Sequence, residues 1–203
     1  MEIYRIQNKI DLSKRTYREA LNYQPIDYEA RDILRELEGK RSIFFHFETF
    51  DIDSLIKISS DANSYLNDDS VILLNAAKRA VYEKGASEFS KEMLVKVFNN
   101  DGIDDFKEYW ISYNSYTQEL IIEKAVVIKR DISEIKADIN NNHIVFKSLE
   151  ENDFIYMKWK INNYYSGKLT NHFWDTFYFN CFYPTKVIQY SLFVTENSLK
   201  FNT

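Results

Sequence analysis

The sequence predicts a mainly β protein, an antiparallel β-sandwich preceded by a short helical hairpin, and three observations predict it. From Ser70 onward, segments rich in Val, Ile, Tyr and Phe recur between turn signals, the pattern of antiparallel strands. Aromatic residues make up 16% of the 203 residues, with 15 Tyr and 15 Phe, an enrichment that suits pleated, half-buried surfaces. The first 45 residues read helical, followed by one short helical segment before the strands begin.

In residues 1–45, "LSKRTYREALNY" brings Leu12, Tyr17, Ala20 and Leu21 near one helix face. "IDYEARDILRELEGK" opens on Asp27, whose carboxylate can accept a first-turn N–H, then carries Ala30, Ile33, Leu34 and Leu37 and stops at Gly39. Pro25 stands between the two helices. The spacing of Tyr17, Ala20, Pro25 and Leu34 resembles the end of a tetratricopeptide repeat. One repeat cannot stack into a superhelix, so the hairpin is expected to pack on its neighbour.

Residues 46–69 read as a linker with one short helix near Ile52–Ser59, capped by Asp51 or Asp53. The polar run Ser60 to Asp69 marks the boundary, after which residues 70–203 read as the sandwich. Its candidate strands are "VILLNAAKRAVYE", "SEFSKEMLVKVFN", "FKEYWISYN", "LIIEKAVVIKR", "IKADI", "HIVFKS", "DFIYMKWKINNYY", "FWDTFYFNCF" and "KVIQYSLFVT". Turns fall at Lys84-Gly85, Asn100-Asp101-Gly102, Arg130-Asp131, Asn140–Asn142 and Glu151–Asp153. Strands this aromatic need both faces covered, which implies a sandwich over a single open sheet.

Composition excludes several function classes. A net charge of −5 and a pI near 5.3, with no dense basic patch, argue against a nucleic-acid partner. No apolar run reaches the roughly 18 residues that span a bilayer, and "MEIYRIQNKIDLSKR" lacks the basic-then-apolar pattern of a signal peptide. The single cysteine, Cys181, rules out an internal disulfide and a cysteine-based zinc site.

"VKVFNNDGIDDFKEYW" invites a calcium reading. With Gly102 at loop position 6, Asn99, Asp101, Asp105 and Glu108 fall at ligand positions 3, 5, 9 and 12. Position 1 falls on Val97, which has no side-chain oxygen, and the flanks alternate with period two. The expectation is a β-hairpin turning at Asp101-Gly102, with no metal.

With those segments in place a resemblance emerges. "DSVILLNAAKRAVYEKGASEFSKEMLVKVFNNDGIDDF", "IEKAVVIKRDISEIKA", "LEENDFIYMKWKINNY" and "FWDTFYFNCFYP" resemble, in order, the domain of unknown function 3857, over residues 70 to about 200. That resemblance implies a β-sandwich of the kind that precedes papain-like transglutaminase domains in exported bacterial proteins, often after helical repeats. It implies the periplasm or cell envelope, against a cytoplasmic alternative that composition leaves open. The sequence departs from the family at Asp131-Ile132, where Asp-Gly is usual, and no transglutaminase domain follows within the 203 residues.

A transglutaminase-like site needs a Cys nucleophile, a His base and an orienting Asp. The histidines are His46, His143 and His172. On a straight strand His172 stands about 30 Å from Cys181, too far for proton transfer. Cys181 therefore reads as a buried thiol, the acidic pairs Asp104-Asp105 and Glu150-Glu151 as solvated turns, and the chain as a protein without catalytic residues, metal or cofactor. In "HFWDTFYFNCFYP", alternation sends Phe173, Phe177, Phe179 and Cys181 to one face and Trp174, Tyr178 and Phe182 to the other. The second face is the candidate binding surface. The expected function is a non-catalytic accessory domain whose partner is a transglutaminase-like catalytic domain or its protein or cell-wall substrate. The alternative is a carbohydrate-binding module with these rings as its platform.

Overall fold

The computed structural model describes residues 2–59, 61–165, 175–179 and 182–195. It is mainly β, with a large, predominantly antiparallel sheet and N-terminal helices. Among the described residues no helix is long and apolar enough to cross a membrane.

Helices α1 (Glu2–Ile6), α2 (Ile10–Tyr23) and α3 (Tyr28–Leu37) come first, and α2 packs on α3. Asp27 caps α3 by accepting the Ala30 N–H at 2.9 Å. Gly39 takes φ +70°, which lets the Lys40 N–H reach the Arg35 carbonyl at 2.8 Å and closes the helix. Helix α4 (Ile52–Lys57) starts at Asp51, which accepts the Ser54 N–H.

The six-stranded sheet runs β5-β4-β8-β2-β1-β9, from β1 (Ser70–Val81), β2 (Ser87–Val97), β4 (Gln118–Ile128), β5 (Glu134–Lys136), β8 (Phe154–Asn163) and β9 (Ile188–Val194). All its pairs are antiparallel except β1 with β9. The hairpin between β1 and β2 turns with Lys84 and Gly85 both in the left-handed region and closes on a 2.8 Å bond from Tyr82 N–H to Ala86 O. A second sheet has the order β3-β7-β6, from β3 (Glu108–Trp110), β6 (Asp138–Asn140) and β7 (His143–Val145).

The small sheet covers one face of the large one. Val95, Val97, Val127, Ile155 and Met157 bury that face against Ile144, Phe146 and Ile111. The opposite face carries Leu73, Leu74, Leu94, Val126 and Phe154 and is covered by Ile56 of α4 together with Phe50, Ile52 and Tyr65. Farther along that face, Tyr28 at the start of α3 joins Ile43, Phe47, Ala80 and Tyr82. The Tyr28 hydroxyl accepts the Ser87 N–H at 3.1 Å and lies 2.9 Å from the Ser87 carbonyl and within bonding distance of the Asn163 carbonyl, pinning the helices to the ends of β2 and β8.

Two local expectations are corrected. The segment at Asn100-Asp101-Gly102 is no hairpin turn: it forms α5 (Asn100–Phe106), with Asn99 as N-cap accepting the Gly102 N–H at 3.0 Å. Asn, Asp and Gly serve caps as well as turns, so the local signal is shared. Asp104-Asp105 accordingly lies on a helix, where Asp104 pairs with Lys107 at 2.8 Å. The strand expected over 173–182 is also absent where it can be followed, since 175–179 have no regular structure.

Gly102 is needed for space. A Cβ there would stand 2.1 Å from the Asp69 carbonyl oxygen, the same oxygen that accepts the Phe98 N–H at 2.8 Å. Gly102→Ala is expected to destabilise the fold by about 2–4 kcal/mol, read from urea unfolding; a loss within experimental error would show the approach to be slack. Ile132 presents the reverse case, a β-branched residue at φ +67° in a turn held by the Ile132 N–H to Lys129 O bond. Because left-handed geometry costs an L-residue roughly 1–2 kcal/mol, Ile132→Gly should raise stability by about 1 kcal/mol net of chain entropy. An unchanged or lower urea midpoint would contradict that.

Candidate functional site

The candidate aromatic face lies around residues 175–179 and 182–184, on the side of the sheet away from the N-terminal helices. Asp175 anchors the segment. Its carboxylate accepts from Arg79 Nε at 2.9 Å and from the Tyr190 hydroxyl at 2.7 Å, joining the segment to β1 and β9. The Arg79 guanidinium also lies 4.6 Å over the Phe89 ring. Phe177 packs on Tyr190 at 5.2 Å and on Phe179 at 4.9 Å. A crevice of about 280 Å³ opens between this segment and the sheet, lined by Asn75, Arg79, Phe89, Lys91 and Thr176 and walled by Tyr178.

Two of the three expected site residues are described, and both face solvent: Tyr178 is 76% exposed and Phe182 fully so. Neither lies beneath the residue 11–40 helices. Trp174, the third, lies outside the described residues, as do Cys181 and His172. Phe179, assigned by alternation to the other face, is exposed as well, at 57%. A pleat sends alternate residues to opposite sides only while the chain is extended and paired, and 175–179 are not. Next to Phe182, Tyr183 packs on Phe106 at 4.8 Å and donates its hydroxyl to Asp105 at 3.0 Å.

Several of the described titratable groups are engaged in pairs. On the helix-covered face Glu88 meets Lys160 and the Tyr82 hydroxyl, while Glu92 accepts from Tyr156 at 2.6 Å and lies 3.9 Å from Lys78. These carboxylates are buried, and alternation along "SEFSKEM" was the sequence signal for a shared polar row on β2. Burial pushes the Tyr82, Tyr156 and Tyr28 phenols well up and the Lys78 ammonium down. A cleft of about 640 Å³ is lined by Lys129, Arg130, Asp131, Ser133, Glu150 and Asp153. Lys129 there is held by Asp153 at 2.6 Å, Glu150 at 2.9 Å and the Ser148 carbonyl at 2.7 Å. His143 bonds Glu108 at 2.9 Å and stacks on Trp110 at 3.9 Å, and His46 stacks on Phe193. Among the described residues no three His, Cys, Asp or Glu side chains form a metal-sized cluster.

Residues 83–156 match the family described as a domain of unknown function with solved structure (DUF3857). The match starts in the β1–β2 hairpin and ends within β8, inside the wider span that the motifs suggested. No curated protein matches the chain. Among solved structures, the crystal structure of a "putative protease" from Parabacteroides distasonis is similar at 17% identity and a TM-score of 0.42, covering 47% of this chain and 23% of that one. The chain thus corresponds to less than a quarter of that structure.

Tyr190 links the aromatic segment to pH. Burial, and then the bond to Asp175, push its phenol from 10.0 up to about 12. A raised value means the neutral phenol is favoured in the fold, so its stabilisation is intact below about pH 10 and is lost as pH rises through about 12. Tyr190→Phe should therefore show a shallower fall in unfolding free energy between those pH values than the unsubstituted chain. Parallel profiles would mean that the phenol is not held by Asp175 in solution.

Proposed function

We propose that this chain, which carries the DUF3857 match over residues 83–156, is a non-catalytic accessory domain of an exported transglutaminase-like protein. Its role is to position a protein or cell-wall substrate, or to seat a papain-like catalytic domain. The observation that carries the reading is the group of exposed rings Tyr178, Phe179 and Phe182 beside the Arg79–Asp175–Tyr190 anchor. Exposed aromatic clusters on a rigid support are the anchors from which protein interfaces draw most of their energy. The resemblance to exported proteins supports a periplasmic or envelope location.

One observation favours a second reading, a carbohydrate-binding module. Tyr178 shares its crevice with Asn75, Thr176, Arg79 and Lys91, an aromatic wall beside hydrogen-bonding side chains, the combination that holds a polar ring.

The double variant Tyr178→Ala, Phe182→Ala separates the readings. Titrated against a transglutaminase-like catalytic domain supplied in trans, it should bind at least about 10-fold more weakly than the unsubstituted chain, with its thermal midpoint little changed because both rings lie on the surface. Loss of glycan-array binding with no protein partner would instead favour the module. Unaltered binding in both assays would remove this surface from consideration.

A further inference from the structure

We propose that the chain self-associates through β9, two copies pairing this strand antiparallel about a two-fold axis so that their six-stranded sheets become one.

The proposal starts from a contrast among edge strands. Strands β5, β3 and β6 are each three residues long and carry charge, with Glu134 and Lys136 on β5, Glu108 on β3 and Asp138 on β6. Those are the devices by which edges avoid unwanted pairing. Strand β9 has none of them: it runs seven residues, "IQYSLFV", with no charge, no proline and no glycine.

Its hydrogen bonding leaves a usable edge. Asn75 N–H bonds the Val187 carbonyl at 2.9 Å, and Thr195 N–H bonds the Val81 carbonyl at 3.1 Å. In the regular parallel ladder between those bonds, Gln189, Ser191 and Phe193 turn their backbone groups toward β1, so Ile188, Tyr190, Leu192 and Val194 turn theirs outward. Among the described residues, no backbone group bonds these four from the other side. A row of four outward N–H and four outward C=O groups is a template for another strand.

The strand suits a copy of itself. Antiparallel pairing centred on Ser191 sets Ile188 opposite Val194 of the second copy and Tyr190 opposite its Leu192, so all four outward residues fall in hydrogen-bonded pairs. Apolar side chains then meet on the face where Phe177 already packs on Tyr190. Gln189 meets Phe193 on the other face, and the two Ser191 residues meet on the axis as a non-hydrogen-bonded pair, Cα atoms about 4.5 Å apart. No charged residue of β9 opposes another, and Leu192, 47% exposed in the single chain, gains cover. The closed two-fold arrangement consumes both edges, so it stops at two copies.

The test is the mass of the full chain in solution by light scattering across the micromolar range. A dimer is expected. Ser191→Lys places like charges face to face across the axis in the symmetric register, in addition to facing Lys78 of its own chain, and should weaken the dimer at least about 10-fold. Mixing Ser191→Lys with Ser191→Glu should restore it. Leu192→Arg, at an already exposed position, gives a second disruption that does not depend on Ser191. Backbone amides of Ile188, Tyr190, Leu192 and Val194 should gain exchange protection as concentration rises, leaving their odd-numbered neighbours unchanged. A chain monomeric throughout the range overturns the proposal. So does a dimer indifferent to Ser191→Lys and Leu192→Arg, or one that leaves the four amides unprotected.

Discussion

The large sheet buries both of its faces, and the remaining architecture answers that requirement. Strands β2 and β8 lie at its centre, and their residues alternate between two covered sides: Val95 and Met157 pack under the small sheet, Leu94 and Phe154 under the α4 region. Neither cover suffices without the other, because a sheet with one apolar face bare would present a patch far larger than soluble proteins tolerate. The linker between the helices and β1 is therefore part of the core. It brings Ile43, Phe47 and Ile56 onto the sheet and holds the helical hairpin there through Tyr28.

Covering both faces also encloses polar side chains. Glu88, Glu92 and Lys96 sit on the helix-facing side of β2 and are nearly inaccessible. An uncompensated charge there would cost several kcal/mol, so each has a partner: Lys160 and Tyr82 for Glu88, Tyr156 and Lys78 for Glu92, Ser59 for Lys96. Buried acids beside lysines and tyrosines also occur in reactive clusters. Here the geometry of the pairs ties strand to strand and sheet to linker, which is a structural task.

The β1–β9 end of the opposite face lies beyond the small sheet. There 175–179 run without regular structure, held to Arg79 and Tyr190 through the Asp175 carboxylate and the Phe177 ring. Exposed rings and an uncharged edge strand thus adjoin one another through Phe177 and Tyr190. Both features are unusual for a surface that meets only water, and both lie at the β1–β9 end of the sheet.

Much of this was legible in the residues because the signals are local. Asp27, Asp51 and Gly39 mark helix ends through backbone groups three or four residues away. Lys84-Gly85 and Asn140–Asn142 mark turns through allowed φ angles. The long strands β1, β2, β4, β8 and β9 follow from apolar patterning that repeats over ten residues or so. The sequence by itself therefore determined the mainly β class, the helical lead-in and the places of β1, β2, β4, β8 and β9 along the chain. Tertiary structure decided what local chemistry leaves degenerate. Asn99 to Gly102 serves a cap or a turn equally well until the Asp69 carbonyl occupies the space beside Gly102. The side to which Tyr178, Phe179 and Phe182 point depends on whether their segment finds a neighbouring strand. Whether β9 lies parallel to β1 at the sheet's edge depends on pairings more than a hundred residues apart in sequence, and no short-range propensity encodes those.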